Sequence, residues 1–188
     1  PGYKAFPVEY DLQEAKRLAH EVLGNKRCEI TYCINGNEPL QKGEAELIAY
    51  RLQDIGLDVK IQAIEYATLS KMMRKGDFNI VRIQKGLANG DPFSALYTFI
   101  MPDGALNVSN SSGYNNPEVT ELMNKVKHIT DEAERQRVFD RVQEIVVYEQ
   151  PVIPLFNDMN IVAYNKRLKN YKPLIYGVDL SKVELAED

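Results

Sequence analysis

Apolar residues in the first half of the chain recur with two different periods. Stretches in which every second residue is apolar, or in which a short apolar run is continuous, predict strands, whereas an apolar spacing of three or four residues predicts helices. Asp11, followed three residues later by Glu14, predicts a capped helix that Gly24 ends. The elements predicted after it are strand 28–34, helix 45–55, strand 57–63, helix 66–74 and strand 78–83.

The second half of the chain is predicted to be mainly helical up to Pro151. A capping residue followed by proline, at 91–92 and again at 116–117, predicts the start of a helix. Asp131 with Glu134 predicts the start of the longest helix. Its apolar stripe predicts a buried face made of Val138, Phe139, Val142, Ile145 and Val146. After it, two short strands are predicted, at 152–156 and 161–164.

Strands that alternate with helices predict an α/β fold with a mixed, mostly parallel sheet flanked by helices. A length of 188 residues suits one sizeable domain, so residues 1–188 are expected to form a single α/β lobe. The net charge of -4 argues against nucleic acid or an anionic membrane as a partner, because both demand clustered lysine and arginine. No apolar run approaches the length that spans a bilayer. If the protein is exported, its signal is expected upstream of residue 1.

The loop that follows the apolar strand ending at Ile83 is the expected ligand-contacting segment. Parallel α/β sheets bind ligands beyond the carboxyl ends of their strands, and the glycines of this loop allow its backbone to approach a ligand closely. A flexible surface connection is the alternative interpretation of the same residues. The candidate ligand-binding residues are Gln84, Lys85, Gly86, Leu87, Ala88, Asn89 and Asp91.

The sequence offers no recognisable set of catalytic or metal-binding residues. His20 and His128 are the only histidines, and both lie on predicted helices or at their ends, without the context of a catalytic triad. Cys28 and Cys33 point to opposite faces of one predicted strand, so they are expected neither to form a disulfide nor to hold zinc. The GxSxG, Walker A and GxGxxG motifs do not occur. We therefore expect no enzymatic activity, no metal and no cofactor.

Five segments of the chain follow one another in a recognisable order. They are FPVEYDLQEAKRLAHEVLG, AELIAYRLQDIGLDVKIQAIEY, SGYNNPEVTELM, DEAERQRVFDRVQEIVVYEQPVIPLF and NKRLKNYKP. In this order they resemble the family-5 extracellular solute-binding proteins, a family that includes dipeptide-, oligopeptide- and nickel-binding proteins. The resemblance covers nearly the whole chain.

Proteins of that family have two α/β lobes that close on a ligand and deliver it to the permease of an ABC importer. The resemblance covers the second lobe, so it implies a C-terminal ligand-binding lobe of the type II periplasmic-binding-protein fold, partnered by a missing N-terminal lobe. It implies capture of a small solute, either a peptide or a nickel- or metal-chelate-like ligand. The implied location is extracytoplasmic, in the periplasm or as a cell-surface lipoprotein. The alternative is a ligand-sensing module of a regulator or receptor.

The resemblance also bears on the candidate ligand-binding loop. Peptide-binding members carry a tryptophan and an aspartate there, and the aspartate pairs with the amino group of the peptide; these places fall near Lys85 and Ala88. Asp91 is more simply the cap of the next helix, although a shifted loop would let it replace the missing aspartate. Nickel-chelate members carry a histidine in this region, where this chain has none. We therefore expect Lys85 to meet a carboxylate or phosphate, and Gln84 and Asn89 to bind an amide.

Overall fold

The computed structural model describes residues 6, 8–84, 92–110, 112–156, 161–174 and 179–186, except for the side chains at 92, 109 and 110. The chain divides into two compact units, Pro1–Val152 and Ile153–Asp188. The elements of the first unit are α1 (Leu12–Leu23), β1 (Cys28–Asn35), α2 (Pro39–Gln53), β2 (Leu57–Ile64), α3 (Tyr66–Lys75), β3 (Ile80–Val81), α4 (Pro92–Ile100), α5 (Ala105–Asn110), α6 (Pro117–Val126) and α7 (Glu132–Glu149). Those of the second unit are β4 (Leu168–Lys169) and β5 (Glu184–Leu185). The single lobe expected over residues 1–188 stays a prediction.

A three-stranded parallel sheet forms part of the first unit. β1 lies in the middle and pairs with β2 along its whole length, from Cys28 to Asn35. The short β3 pairs with the other side of β1, at Tyr32 and Cys33. Because all three strands run in the same direction, their carboxyl ends meet at one edge of the sheet. The predicted α/β class with a parallel sheet is confirmed.

Each face of the sheet is covered by one helix. Neighbouring residues of β1 point to opposite faces: Tyr32 and Ile34 pack against Ala45 of α2, whereas Cys33 packs against Leu69 of α3. All five of these residues are buried. The cover on both sides explains why β1 carries large apolar residues at consecutive positions.

A separate apolar core joins α4, α6 and α7. Its buried residues recur at helical spacing on these helices, as amphipathic packing requires. They are Ile100, Met101, Val119, Met123, Val126, Val138, Phe139, Val142 and Ile145. Four of the five residues predicted for the buried face of α7 belong to this core, and the fifth, Val146, packs against it while partly exposed. No helix in the described part of the chain has both the length and the apolarity to cross a membrane.

Side-chain caps begin three of the helices at the predicted places. A carboxylate or amide oxygen accepts a hydrogen bond from the backbone N–H three residues later in each case. The backbone N–H of Glu14 donates to Oδ1 of Asp11 at 2.9 Å, that of Val119 to Oδ1 of Asn116 at 3.1 Å, and that of Glu134 to Oδ1 of Asp131 at 2.7 Å. α4 also begins at the predicted proline, but its expected cap, Asp91, lies outside the described residues.

The structure corrects several predicted elements. The strand expected at 78–83 is limited to Ile80–Val81, because only these residues pair with β1. The strands expected at 152–156 and 161–164 are wrong: these described residues form no ladder, and Pro154 has no N–H to donate to one. The second unit instead pairs β4 with β5 in antiparallel fashion. The short helix α5 was not predicted, and no residue of α1 is buried, in spite of its apolar stripe.

Candidate functional site

A cavity of about 360 Å³ lies at the edge of the sheet where the strands end. Its wall is formed by the end of β1, the residues just after β3, the N-cap and first turn of α2, and one side of α3. The lining residues are Asn35, Glu38, Gln41, Tyr66, Leu69, Ser70, Met73, Arg82, Ile83 and Gln84. This is the edge at which parallel α/β sheets bind their ligands.

An ion pair between Arg82 and Glu44 holds part of the cavity wall. Nε of Arg82 donates to Oε2 of Glu44 at 2.7 Å, and the two side chains are only 11% and 13% exposed. Nη1 of Arg82 also donates a hydrogen bond to the carbonyl oxygen of Ile83. The backbone N–H of Arg82 donates to the carbonyl oxygen of Cys33 at 2.9 Å. These bonds hold the guanidinium group in one orientation, which a buried charge requires because it is costly to leave unpaired.

The same two charges act on the buried phenol of Tyr32. Burial raises the pKa of Tyr32; the positive charge of Arg82 lowers it, and the negative charge of Glu44 raises it again. Arg82 and Glu44 thus shift the pKa of Tyr32 in opposite directions, as expected of an ion pair whose two charges largely cancel. The second carboxylate oxygen of Glu44, Oε1, is buried and has no hydrogen-bond partner among the described residues.

The start of α2 brings two polar side chains to the cavity. Gln41 is buried, and its Oε1 accepts a hydrogen bond from the backbone N–H of Asn35 at 3.0 Å, which ties the end of β1 to the helix. Glu38 is the N-cap residue of α2, but its side chain makes no capping hydrogen bond. Glu65, the N-cap of α3, accepts two backbone N–H groups of its own helix. The two caps therefore differ in whether the carboxylate is used within the protein.

Only one predicted ligand-binding residue lies in the described part of the chain, and its role in ligand binding stays a prediction. Gln84 is exposed and lines the cavity. The others, Lys85, Gly86, Leu87, Ala88, Asn89 and Asp91, lie outside the described residues, so their roles stay predictions.

Sequence reasoning missed the residues that other elements bring to this edge. The turn NGNEP follows β1 just as the predicted loop follows β3, so the rule on carboxyl ends could have selected Asn35 and Glu38. Arg82 belongs to the predicted strand 78–83 and lies two residues before the first predicted ligand-binding residue, Gln84. Tyr66 and Ser70 belong to α3 and carry no such signal, because only the packing of that helix on the sheet brings them to the cavity.

A second hollow, of about 230 Å³, lies at the opposite edge, before β1 and β2. Its lining includes Lys16, His20 and Arg27. Nδ1 of His20 is 2.9 Å from the carbonyl oxygen of Gly24, and the guanidinium of Arg27 donates to the carboxylate of Asp58 at 2.7 to 2.9 Å. Two of its basic side chains are thus bound within the protein, so we take the cavity at the carboxyl edge as the candidate site.

The two cysteines are free, and one of them belongs to the apolar core. Cys33 is buried between the sheet and α3, and burial raises the pKa of its thiol. A thiol in such surroundings stays protonated at neutral pH and behaves as a small apolar group. No group of three or more side chains suited to hold a metal ion occurs among the described residues.

Comparison with known proteins gives a matching family and a set of similar proteins. The family described as bacterial extracellular solute-binding proteins, family 5 Middle, matches residues 1–107, more than half of the chain. The chain is 26% identical over 171 residues to the probable D,D-dipeptide-binding periplasmic protein DdpA of Escherichia coli (strain K12), a match that covers 90% of this chain and 33% of DdpA. The chain thus spans about a third of the length of the relatives that it matches.

Solved structures with a similar fold include two that each match at least 95% of this chain. One is the ABC transporter-associated periplasmic binding protein DppA from Helicobacter pylori in complex with the peptide STSA, with a TM-score of 0.81 and 29% identity over 98% of this chain and 36% of DppA. The other is HbpA2 from Haemophilus parasuis, with a TM-score of 0.77 and 24% identity over 95% of this chain and 36% of HbpA2. The periplasmic-binding-protein-like fold is therefore confirmed.

Proposed function

Since the chain belongs to the bacterial extracellular solute-binding proteins of family 5, we propose that it is the ligand-binding lobe of the substrate-binding component of an ABC importer. The lobe contributes the cavity at its carboxyl edge to a cleft that captures a small polar solute, such as a peptide or a metal chelate. The permease of the importer then receives this solute. The family is extracellular and two of the relatives are periplasmic, so the location is extracytoplasmic.

The position and the lining of the cavity are the observation that carries this proposal. Its volume of about 360 Å³ lies in the range of small-molecule sites. Leu69 and Met73 provide apolar surface, while Asn35, Ser70 and Gln84 provide groups that donate or accept hydrogen bonds. Such a wall suits a ligand that is polar and has short apolar parts.

We propose binding without chemical turnover. The family is one of solute-binding proteins, and both DdpA of Escherichia coli and DppA of Helicobacter pylori are described as binding proteins. Among the described lining residues of the cavity there is no histidine or cysteine, the side chains that most often serve as base or nucleophile at neutral pH. The alternative role, a sensing module of a regulator or receptor, has no support in these relatives, none of which is a regulator.

Closure of two lobes is the proposed mechanism. A ligand that contacts both lobes stabilises the closed arrangement by the additional contacts that it makes there. This chain supplies one wall, in which Lys85 and Asn89 are proposed to meet a carboxylate or phosphate and an amide. The partners in this proposal are an N-terminal lobe, which supplies the other wall, and the permease, which recognises the closed form.

Mass spectrometry of the protein, purified as its source cell makes it, tests this function. We expect it to release a small polar solute on denaturation, in an amount close to that of the protein. Lys85→Ala should lower the bound amount without lowering the melting temperature, whereas Lys71→Ala, an exposed lysine on α3, should leave both unchanged. A protein that carries no solute, and takes up none from a growth-medium extract, would contradict the proposed function.

A further inference from the structure

We propose that Glu38 determines the charge preference of the cavity and selects solutes that carry a positively charged nitrogen, an ammonium or a guanidinium group. This inference rests on the proposed function, because it concerns the same cavity. It assigns the preference to the N-cap residue of α2, whereas the sequence pointed only to the loop after β3.

The balance of charge in the wall is the first step. Among the described lining residues, only Glu38 and Arg82 are charged at neutral pH. Arg82 is paired with Glu44 at 2.7 Å, and both side chains are mostly buried, so the positive charge of Arg82 is offset within the protein. Among the described lining residues, the charge that remains toward a ligand is therefore the negative charge of Glu38.

The second step is that Glu38 is available for a ligand. Its side chain makes no capping bond to α2 and has no ion-pair partner among the described residues. Glu65, in the equivalent position of α3, instead uses its carboxylate to cap its helix.

The third step concerns the hydrogen-bonding groups around this charge. Oε1 of Gln41 accepts a hydrogen bond from the backbone N–H of Asn35, so this neighbouring acceptor is already used within the protein, whereas the carboxylate of Glu38 has no partner among the described residues. An ammonium or guanidinium group brings several N–H donors and no acceptor, so it suits an edge with a free carboxylate. A solute with only negative charge would meet repulsion from Glu38 instead.

The test compares three forms of the protein at its natural length: the wild type, Glu38→Gln, and Glu46→Gln as the matched control. Glu46 is an exposed glutamate of the same helix, outside the cavity lining and 4.0 Å from Lys42. Each form is stripped of bound solute and exposed to the low-molecular-weight fraction of growth medium. The solutes that each form retains are identified and counted by native mass spectrometry, and the melting temperature of each empty form is recorded.

We expect the wild type to retain solutes that carry an amine or a guanidine. Glu38→Gln should lower their occupancy roughly tenfold at a limiting solute concentration, as the loss of one hydrogen bond between charged groups predicts. Glu46→Gln should match the wild type, and all three empty forms should melt at the same temperature.

Two results would overturn the inference while leaving the proposed function in place: retention by the wild type of solutes without a basic nitrogen, or unchanged occupancy in Glu38→Gln. A wild type that retains no solute at all would refute the proposed function and, with it, the role of Glu38. The two failures are therefore distinguishable from one set of spectra.

Discussion

Residues 28–84 and residues 92–149 both have an apolar core, but they place their polar side chains differently. In the second of these regions, buried Asn107 donates to the carbonyl oxygens of Met101 and Tyr114 at 2.9 and 2.8 Å. The hydroxyl of Tyr114 donates to the carboxylate of Glu149 at 2.5 Å. These bonds join the segment before α6 to the end of α7, so the polar groups here stabilise the fold.

The phenol of Tyr114 is held in its protonated form. Burial raises its pKa most, and the hydrogen bond to the Glu149 carboxylate raises it further. Stability from this group is fully present below the ordinary tyrosine pKa of 10.0 and is lost only as the pH rises above it. The bond therefore persists across the physiological range of pH.

In residues 28–84, by contrast, polar groups gather at the open edge of the sheet. The carboxylate of Glu38 and Oε1 of Glu44 have no hydrogen-bond partner among the described residues. In the helical region, the buried oxygen without a hydrogen-bond partner among the described residues belongs to a neutral group, the hydroxyl of Thr120. The hydrogen bonds of Asn107 and Tyr114 thus hold the helical region together, whereas the carboxylate of Glu38 lies at the cavity without a partner among the described residues.

The largest effect on stability is expected in the helical core. Phe139 is 1% exposed, so Phe139→Ala should lower the free energy of unfolding by about 3–5 kcal/mol, from lost burial and the cavity left behind. Urea denaturation measures this change. Tyr148→Ala on the same helix removes a side chain that is 90% exposed and should change it by no more than about 0.5 kcal/mol. Equal effects of the two changes would contradict the helical core described here.

The ion pair in the sheet region should give the next largest effect. Arg82→Met leaves the mostly buried carboxylate of Glu44 unpaired and should cost about 2–4 kcal/mol in urea denaturation. Adding Glu44→Leu to the same protein should restore most of the loss, because no uncompensated charge then remains.

Arg27→Gln is the control for this prediction. It breaks an ion pair with Asp58 in which both side chains are about half exposed, so the unfolding midpoint should not move measurably. The prediction would be wrong if Arg82→Met combined with Glu44→Leu lowered the free energy of unfolding by as much as the sum of the two single changes. In that case the two residues would contribute to stability independently and not as an ion pair.

A smaller effect is expected where α6 begins. Asn116→Ala removes the cap of α6 and a hydrogen bond to Glu149 at 2.8 Å, so it should lower the free energy of unfolding by about 1 kcal/mol. Thermal unfolding measures this loss of stability. The control is Asn115→Ala, a change at the exposed residue next to Asn116. The ligand affinity of the whole protein should stay unchanged, since residue 116 belongs to the helical region. A loss of ligand affinity without a loss of stability would contradict the conclusion that polar groups of the helical region stabilise the fold and do not serve the ligand site.

Much of the local structure could be predicted because its causes are local. The caps at Asp11, Asn116 and Asp131 bind N–H groups three residues away, and the buried stripe of α7 follows from the period of the helix. The strands at 152–156 and 161–164 could not be judged in this way. An extended apolar segment becomes a strand only if another segment pairs with it. The sequence of the apolar segment alone does not show whether such a partner exists.

The candidate site was only partly predictable for the same reason. Gln84 followed from the rule that ligands bind beyond the carboxyl ends of parallel strands, and the structure places it on the cavity. Ser70 reaches the cavity through the packing of α3, and Arg82 is paired with a residue 38 positions away in sequence.

The amino-acid sequence alone determined the α/β class, the starts of the helices capped by Asp11, Asn116 and Asp131, and the family to which the chain belongs, because these depend on periodicity, capping and the order of motifs along the chain. The tertiary structure decided which charges cancel and which remain. Pairing Arg82 with Glu44 and leaving Glu38 at the cavity requires α2 to lie on one face of the sheet. Only folding brings such groups within the few ångströms at which charges neutralise one another.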